Sequence, residues 1–249
     1  MPRLTAVNRL LRELVARPSI NPTFLPGQPE LTGEERVAEF LAETARSAGI
    51  EVRRQAVLPG RKNLIARISP SGKVRERIML TPHMDVVPAN PETWKRDPFK
   101  LTVEGDELHG RGATDCLGHV ALITELMLEL AIKKPALQRT VTAVLIANEE
   151  NGLVANIGVD QLMTTGKLDH IKSGPVIWVD CADMHPCLGT AASIVWHLKV
   201  KGKLFHSGLP HKGINSLEMA NAACARSWHA KGKRKREKEK SEAATDAVY

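Results

Sequence analysis

One histidine and five carboxylates stand where the apolar runs of this sequence end: His83 and Asp85, Asp115, the pair Glu149-Glu150, and Asp180. Imidazole nitrogen and carboxylate oxygen are ligands that zinc accepts, and two metal ions about 3.5–4 Å apart can clamp and activate one water. Taken singly, each group has an ordinary reading. A His-x-Asp suits a surface turn, an aspartate before a helix suits an N-cap, and a Glu-Glu pair suits a solvated turn. Together they describe a divalent metal site. Two adjacent carboxylates after a buried strand are costly, because burial and mutual repulsion both raise their pKa values, and a cation removes that cost. By charge and geometry, Asp115 is expected to bridge two ions, His83 and Asp180 to complete one shell, and Glu150 to bind the other ion. Glu149, beside Glu150 and pointing the opposite way, is left as the general base that takes a proton from the activated water. Asp85 falls on the same side of an extended chain as His83, so its carboxylate is expected to accept the second imidazole N–H and fix the tautomer.

Such groups need short strands that stop abruptly. Ile78 to Thr81 reads as a buried strand ended by Pro82, which puts His83 just past its carboxyl end, where open α/β sheets place their ligands. Thr140 to Ala147 is the most strand-like run and reads as a central strand buried on both faces, leading into Glu149-Glu150. Pro175 to Val179 is a third, ending at Asp180. Before them, Leu4, Leu10, Leu11, Leu14 and Val15 make the apolar face of a first helix. Thr32 and Glu35 have capping-box spacing at the start of a second, whose face of Val37, Phe40, Leu41, Ala45 and Ala48 runs to Gly49. Ile50 to Val57 and Asn63 to Ile68 read as strands, and a long loop from 89 to 109 contains a hairpin arm around Lys100 to Val103. Val120 to Ile132 reads as a buried helix just after Asp115. The fold class is α/β: a layered catalytic domain with a central mixed sheet flanked by helices. From Ala191 the pattern changes, and Ile194 to Val200 alternates as a one-sided strand that opens an α+β lid or dimerisation domain. The expected boundaries are 1–189, 190–222 and a basic disordered tail over 223–249.

With 249 residues, 43% of them hydrophobic, the chain can bury a substantial core and is neither disordered nor fibrous. Its net charge of +7 would suggest nucleic acid, but Lys231 to Lys240 contributes +5 of it. No basic face of a folded domain follows, and no specific nucleic-acid partner is expected. Four cysteines without Cys-x-x-Cys spacing read as free thiols of a reducing compartment. No apolar run approaches a bilayer's span of about 20 residues, so a cytoplasmic protein without a membrane partner is expected.

Larger motifs sharpen the reading. His83-Met84-Asp85-Val86-Val87-Pro88, Trp94 with Asp97-Pro98-Phe99, Gly110-Arg111-Gly112-Ala113-Thr114-Asp115, Glu149-Glu150-Asn151-Gly152, and His206-Ser207-Gly208 followed by Gly213-Ile214-Asn215 occur in order over residues 83–218. The chain thereby resembles the co-catalytic zinc aminoacylases and carboxypeptidases, in particular their eukaryotic acetylornithine deacetylase-like branch. Many members have Met-Lys-Gly-Gly after the bridging aspartate, whereas this chain has Cys116-Leu117-Gly118-His119.

The resemblance implies two zinc ions, with cobalt as the alternative, and the metal roles already given to His83, Asp115, Glu150 and Asp180. Asp183 is the second choice for the ligand assigned to Asp180. It further implies catalytic roles for Glu149 and Asp85, and an oxyanion-stabilising role for His206 in a neighbouring subunit's site of a homodimer. The peptide after Asp115 is expected to be cis. The implied reaction removes an acyl group from an N-acyl amino acid, N-acetylornithine giving ornithine and acetate in arginine biosynthesis. A dipeptidase or carboxypeptidase on the same site is one alternative, and an inactive fragment another. The chain is expected to be truncated after the start of its lid, as a shifted reading frame beyond Asn221 would produce, and to lack the family's final histidine ligand. His229 is not accepted in that role.

Overall fold

The computed structural model describes residues 4–69, 77–172, 174–180, 185, 187 and 198–225, and the chain divides into two compact units, Met1–Pro186 and Cys187–Tyr249. In the first unit, α1 (Leu4–Val15) buries Leu10, Leu11, Leu14 and Val15. Helix α2 (Glu35–Ser47) buries Val37, Ala38, Leu41, Ala42 and Ala45, and stops where Gly49 turns to φ +76° and donates to the Arg46 carbonyl.

The expected capping box does not form. Glu34 occupies the N-cap position, and the Thr32 hydroxyl donates instead to the Gln28 carbonyl at 2.9 Å. The cause is tertiary: Ile20 pairs with this stretch, its N–H donating to Leu31 O while its carbonyl accepts from Gly33, so the backbone around Thr32 is committed before the helix begins.

Strands β1 (Glu51–Leu58) and β2 (Arg61–Ile68) form an antiparallel hairpin, followed by β3 (Arg77–Thr81). The small hairpin β4 (Thr102–Glu104) and β5 (Glu107–His109) leads to helix α3 (Leu117–Lys133) and then strand β6 (Thr140–Leu145). Helix α4 (Val159–Thr164) precedes the last strand, β7 (Val176–Trp178). The main sheet runs β1-β2-β6-β3-β7: β2 meets β6 antiparallel, whereas β3 lies parallel to both β6 and β7. The sheet is therefore mixed, as expected.

Side-chain alternation places the sheet between two apolar layers. Leu64, Ala66, Leu80, Val141, Ala143 and Leu145 join the core built with α1, α2 and α3. Ile65, Met79, Val144 and Ile146 face the other way onto Leu162, Leu168 and Ile171. Strand β6 is buried at every position, as a central strand covered on both faces must be. Strand β7 differs: it is an edge, with Val176, Ile177 and Trp178 exposed to 56%, 50% and 44%.

In the second unit, Lys203 and Ile214 pair antiparallel and close the loop that carries His206, and a helix spans 216–225. That helix continues past 222, where the tail was expected to begin. The expected strand over 194–200 lies largely outside the described residues, and 198–200 carry no strand pairing. His229 and Lys231–Lys240 also lie outside the described residues. Among the described residues, no helix is long and apolar enough to cross a membrane.

Candidate metal centre

Pro82 ends β3, but the chain beyond it does not leave the sheet. Met84 N–H donates to Ile146 O at 2.8 Å and Ile146 N–H to Pro82 O at 3.1 Å, so this segment extends the β3–β6 pairing by one further bridge, His83 to Ile146. On its other side, Val86 N–H donates to Ser19 O, Asn21 N–H to Val86 O, and the Ser19 hydroxyl to Met84 O. His83, Met84 and Asp85 are consequently fully buried.

The imidazole Nδ1 lies 2.9 Å from the Asp85 backbone carbonyl and 3.5 Å from its carboxylate. The tautomer is thus set through the main chain of Asp85, which corrects the expectation that its carboxylate is the acceptor. That carboxylate is engaged elsewhere: it accepts the backbone N–H groups of Glu149 and Glu150 at 3.0 and 3.1 Å and the Asn21 amide at 2.8 Å. Burial raises the pKa of this carboxylate, but the adjacent His83 imidazole, the Glu149 N–H and the Asn21 amide outweigh it and hold it below the ordinary aspartate value. Asp85 is a tie between the β3 exit and the acidic pair on the β6 exit.

A second support reaches the same pair. Arg61 and Glu34 form a buried bidentate ion pair at 2.6 and 2.8 Å. Glu34 also accepts the Asn148 N–H at 3.1 Å, while Arg61 donates to the Asn148 side-chain oxygen at 2.9 Å. Asn148 takes the left-handed conformation, φ +62°, immediately before Glu149. Asn21, Glu34, Arg61 and Asn148 had no role in the sequence reading. Nothing in their spacing marks them, since they come from four separate elements.

Asp115 arrives on the glycine-rich loop. Gly112 sits at φ +84°, and a Cβ on Gly118 would lie 2.2 Å from the Ala113 carbonyl oxygen, so only glycine lets the loop fold back on the start of α3. The Asp115–Cys116 peptide is cis, as the resemblance implies, and Cys116, not Asp115, is the N-cap residue of α3. Arg111, stacked on Trp94 at 5.0 Å from the ring centroid, donates to Pro88 O and faces the charges of Glu150 and Asp115.

These exits bring most of the expected residues together. His83 Nε2 lies 2.9 Å from Asp115 Oδ1, 3.7 Å from Glu149 Oε2 and 3.8 Å from Asp180 Oδ2. Asp180 is held in place by the Trp178 indole N–H at 3.0 Å. The donor atoms of His83, Asp115, Cys116 and Asp180 all fall within 4.8 Å of one another. Glu150 lies outside that group of four; burial first, and then the Asp115 charge, push its pKa up to about 7. Burial likewise raises Glu149. Asp183 lies outside the described residues. In the second unit, His206 Nδ1 accepts the Gly208 N–H at 3.1 Å, which places the proton of a neutral ring on Nε2.

The donor chemistry fits a divalent ion. Burial disfavours an imidazolium, yet hydrogen bonding to Asp85 and the proximity of Cys116 outweigh it, and His83 is pushed up to about 12. Carboxylates of Asp115, Glu149 and Asp180 within 4 Å of the ring make this a place that favours positive charge. Nitrogen, carboxylate oxygen and sulfur donors are the set that zinc accepts.

A mixed α/β layer with a histidine and acidic groups gathered at the carboxyl ends of its parallel strands defines the class of α/β metallohydrolases. The sequence profile of peptidase family M20/M25/M40 matches residues 79–249, and the chain belongs to that family. It is 55% identical to an acetylornithine deacetylase of Arabidopsis thaliana over 163 residues, covering 65% of this chain and 37% of the relative. It is 51% identical to an acetylornithine deacetylase of Dictyostelium discoideum, covering 57% of this chain and 32% of the relative. The chain thus spans about a third of the length of these curated relatives. Among solved structures, an M20 family metallo-carboxypeptidase of Sulfolobus solfataricus superposes with a TM-score of 0.57 at 25% identity, over 70% of this chain and 37% of that one.

Proposed function

We propose that this chain carries the metal-binding half of an amidohydrolase site that removes an acyl group from an N-acyl amino acid, with N-acetylornithine as substrate and ornithine and acetate as products. The observation that carries the reading is the convergence of His83, Asp115 and Asp180, with the Glu149 carboxylate 3.7 Å from the imidazole. The choice of substrate is supported by the names of the relatives at 55% and 51% identity. Arginine biosynthesis in the cytoplasm is the setting that such a reaction implies.

His83, Asp115 and Asp180 would hold one ion, and Asp115 with Glu150 a second, zinc or cobalt by donor type. Bound there, divalent ions supply Lewis acidity to the acyl oxygen and acidify a water. The rest falls to the protein. Glu149, its pKa raised by burial, takes the proton from the attacking water and returns it to the departing amine nitrogen. Asp85 holds the backbone that presents Glu149 and Glu150. His206 would donate its Nε2 proton to the developing oxyanion across a homodimer.

The test is to load the purified chain with zinc or cobalt and follow free-amine release from N-acetylornithine, with Glu149→Ala as the control. Release that depends on Glu149 supports the reading. Hydrolysis of dipeptides without deacetylation would replace the substrate class by the peptidase alternative. Tight metal binding without turnover would assign the chain as an inactive fragment.

A further inference from the structure

Cys116 has no role in the reaction as described, yet its sulfur lies among the donors of the centre. The residue is completely buried; Sγ is 3.3 Å from the Val179 carbonyl and 3.7 Å from His119 Nδ1. Sγ also belongs to the group whose donor atoms lie within 4.8 Å of one another. A tetrahedron of zinc bonds has edges of about 3.3–3.8 Å, so side-chain movements of about 1 Å close the group around an ion. Burial keeps bulky reagents away from this thiol, which argues for coordination in preference to redox chemistry.

We propose that Cys116 supplies a sulfur donor to the ion held by His83 and Asp180, and that the centre thereby selects thiophilic ions such as zinc, cobalt and cadmium over magnesium and manganese. The inference rests on the metal-centre reading above. On coordination the S–H bond breaks and a sulfur–metal bond forms; the proton leaves through His119, whose Nδ1 faces the sulfur and whose ring is partly exposed. Four protein donors, one each from His83, Asp115, Asp180 and Cys116, fill the coordination of a tetrahedral ion.

The experiment loads Co2+ into the chain and into a Cys181→Ala/Cys187→Ala/Cys224→Ala variant, where Cys116 is the sole thiol. Both are expected to show visible ligand-field bands and a near-ultraviolet thiolate-to-cobalt charge-transfer band. Cys116→Ser is expected to lose the second band and to bind cadmium about 10–100-fold more weakly, with manganese binding unchanged. Ligand-field bands without the charge-transfer band in the triple variant would overturn the role of Cys116 and leave the metal centre standing. No cobalt uptake, or uptake unaffected by His83→Ala, would overturn the metal centre and this inference together. The triple variant leaves Cys116 untouched, so the outcome does not depend on Cys116→Ser folding.

Discussion

Arg61→Leu is the most direct probe of how the acidic pair is held in place. The guanidinium is 5% exposed and the Glu34 carboxylate 0%, with two hydrogen bonds of 2.6 and 2.8 Å between them. Removing the cation leaves a buried carboxylate without its partner, a change that costs about 3–5 kcal/mol. In urea, with a slope near 2.5 kcal/mol/M, this lowers the unfolding midpoint by about 1–2 M. The double variant Arg61→Leu/Glu34→Leu removes both charges and is expected to recover much of that loss. It cannot restore the acceptor that Glu34 gives to Asn148 N–H, or the donor that Arg61 gives to the Asn148 side chain. Stability and site geometry should therefore separate: the double variant regains midpoint but still binds zinc more weakly, because Asn148 sets the backbone of Glu149-Glu150. Urea melts followed by circular dichroism, paired with zinc titration, measure the two quantities. A midpoint shift under about 0.3 M for the single variant would refute the assignment of an uncompensated buried charge, and a double variant with native zinc affinity would refute the positioning role.

Glu149→Ala is expected to leave zinc content unchanged and abolish deacetylation, while Glu150→Ala lowers zinc content; equilibrium dialysis beside the amine-release assay reads both, and the reverse pattern exchanges their roles. Because Glu150 is pushed up to about 7, protons compete with metal below that pH, and since the His83 proton must leave as well, zinc is expected to bind at least about tenfold more weakly at pH 6 than at pH 8, measurable by competition with a chromophoric chelator. In the metal-free chain the sign for stability is opposite to that of a paired carboxylate: the folded state binds the extra proton, so Glu150 subtracts stability as pH rises from 4.5 through about 7, to be checked by urea midpoints across that range. Gly118→Ala drives a Cβ to 2.2 Å from the Ala113 oxygen and is expected to cost about 1–3 kcal/mol while displacing Asp115, seen as lower thermal stability together with weaker zinc binding.

The helices and strands of the first unit, and the acids at the strand exits, were legible because each is written in a local pattern. The apolar run of β6 and the abrupt acids after it say both where the strand stops and that something charged waits there. The failures have a common physical cause. Thr32 has capping-box spacing, but its backbone is claimed by Ile20, twelve positions away in sequence. Asp85 was given to the imidazole because the two alternate on one side, yet two backbone N–H groups and an amide, 64–65 residues distant, compete successfully for its carboxylate. Arg61 and Glu34 carry the charges typical of a surface and are buried only because each finds the other.

What distinguishes this site physically is that its acids are oriented by groups distant in sequence. Asp85 ties the exit of β3 to the exit of β6, and Arg61 with Glu34 ties the β2 side of the sheet to the same turn through Asn148. Asp180 has a different standing. It follows a three-residue edge strand whose apolar side chains are exposed, held to β3 by few bonds, among them Val179 N–H to Thr81 O at 3.2 Å. An edge of this kind opens more readily than a central strand. A cation shared by His83 and Asp180 would therefore do more than enable chemistry: it would pin β7 to the β3 exit, because binding that requires the closed arrangement stabilises it in proportion to the logarithm of ion concentration over dissociation constant. The rigid limb of the centre is thus built by the fold, and the Asp180 limb is the one that metal binding would complete.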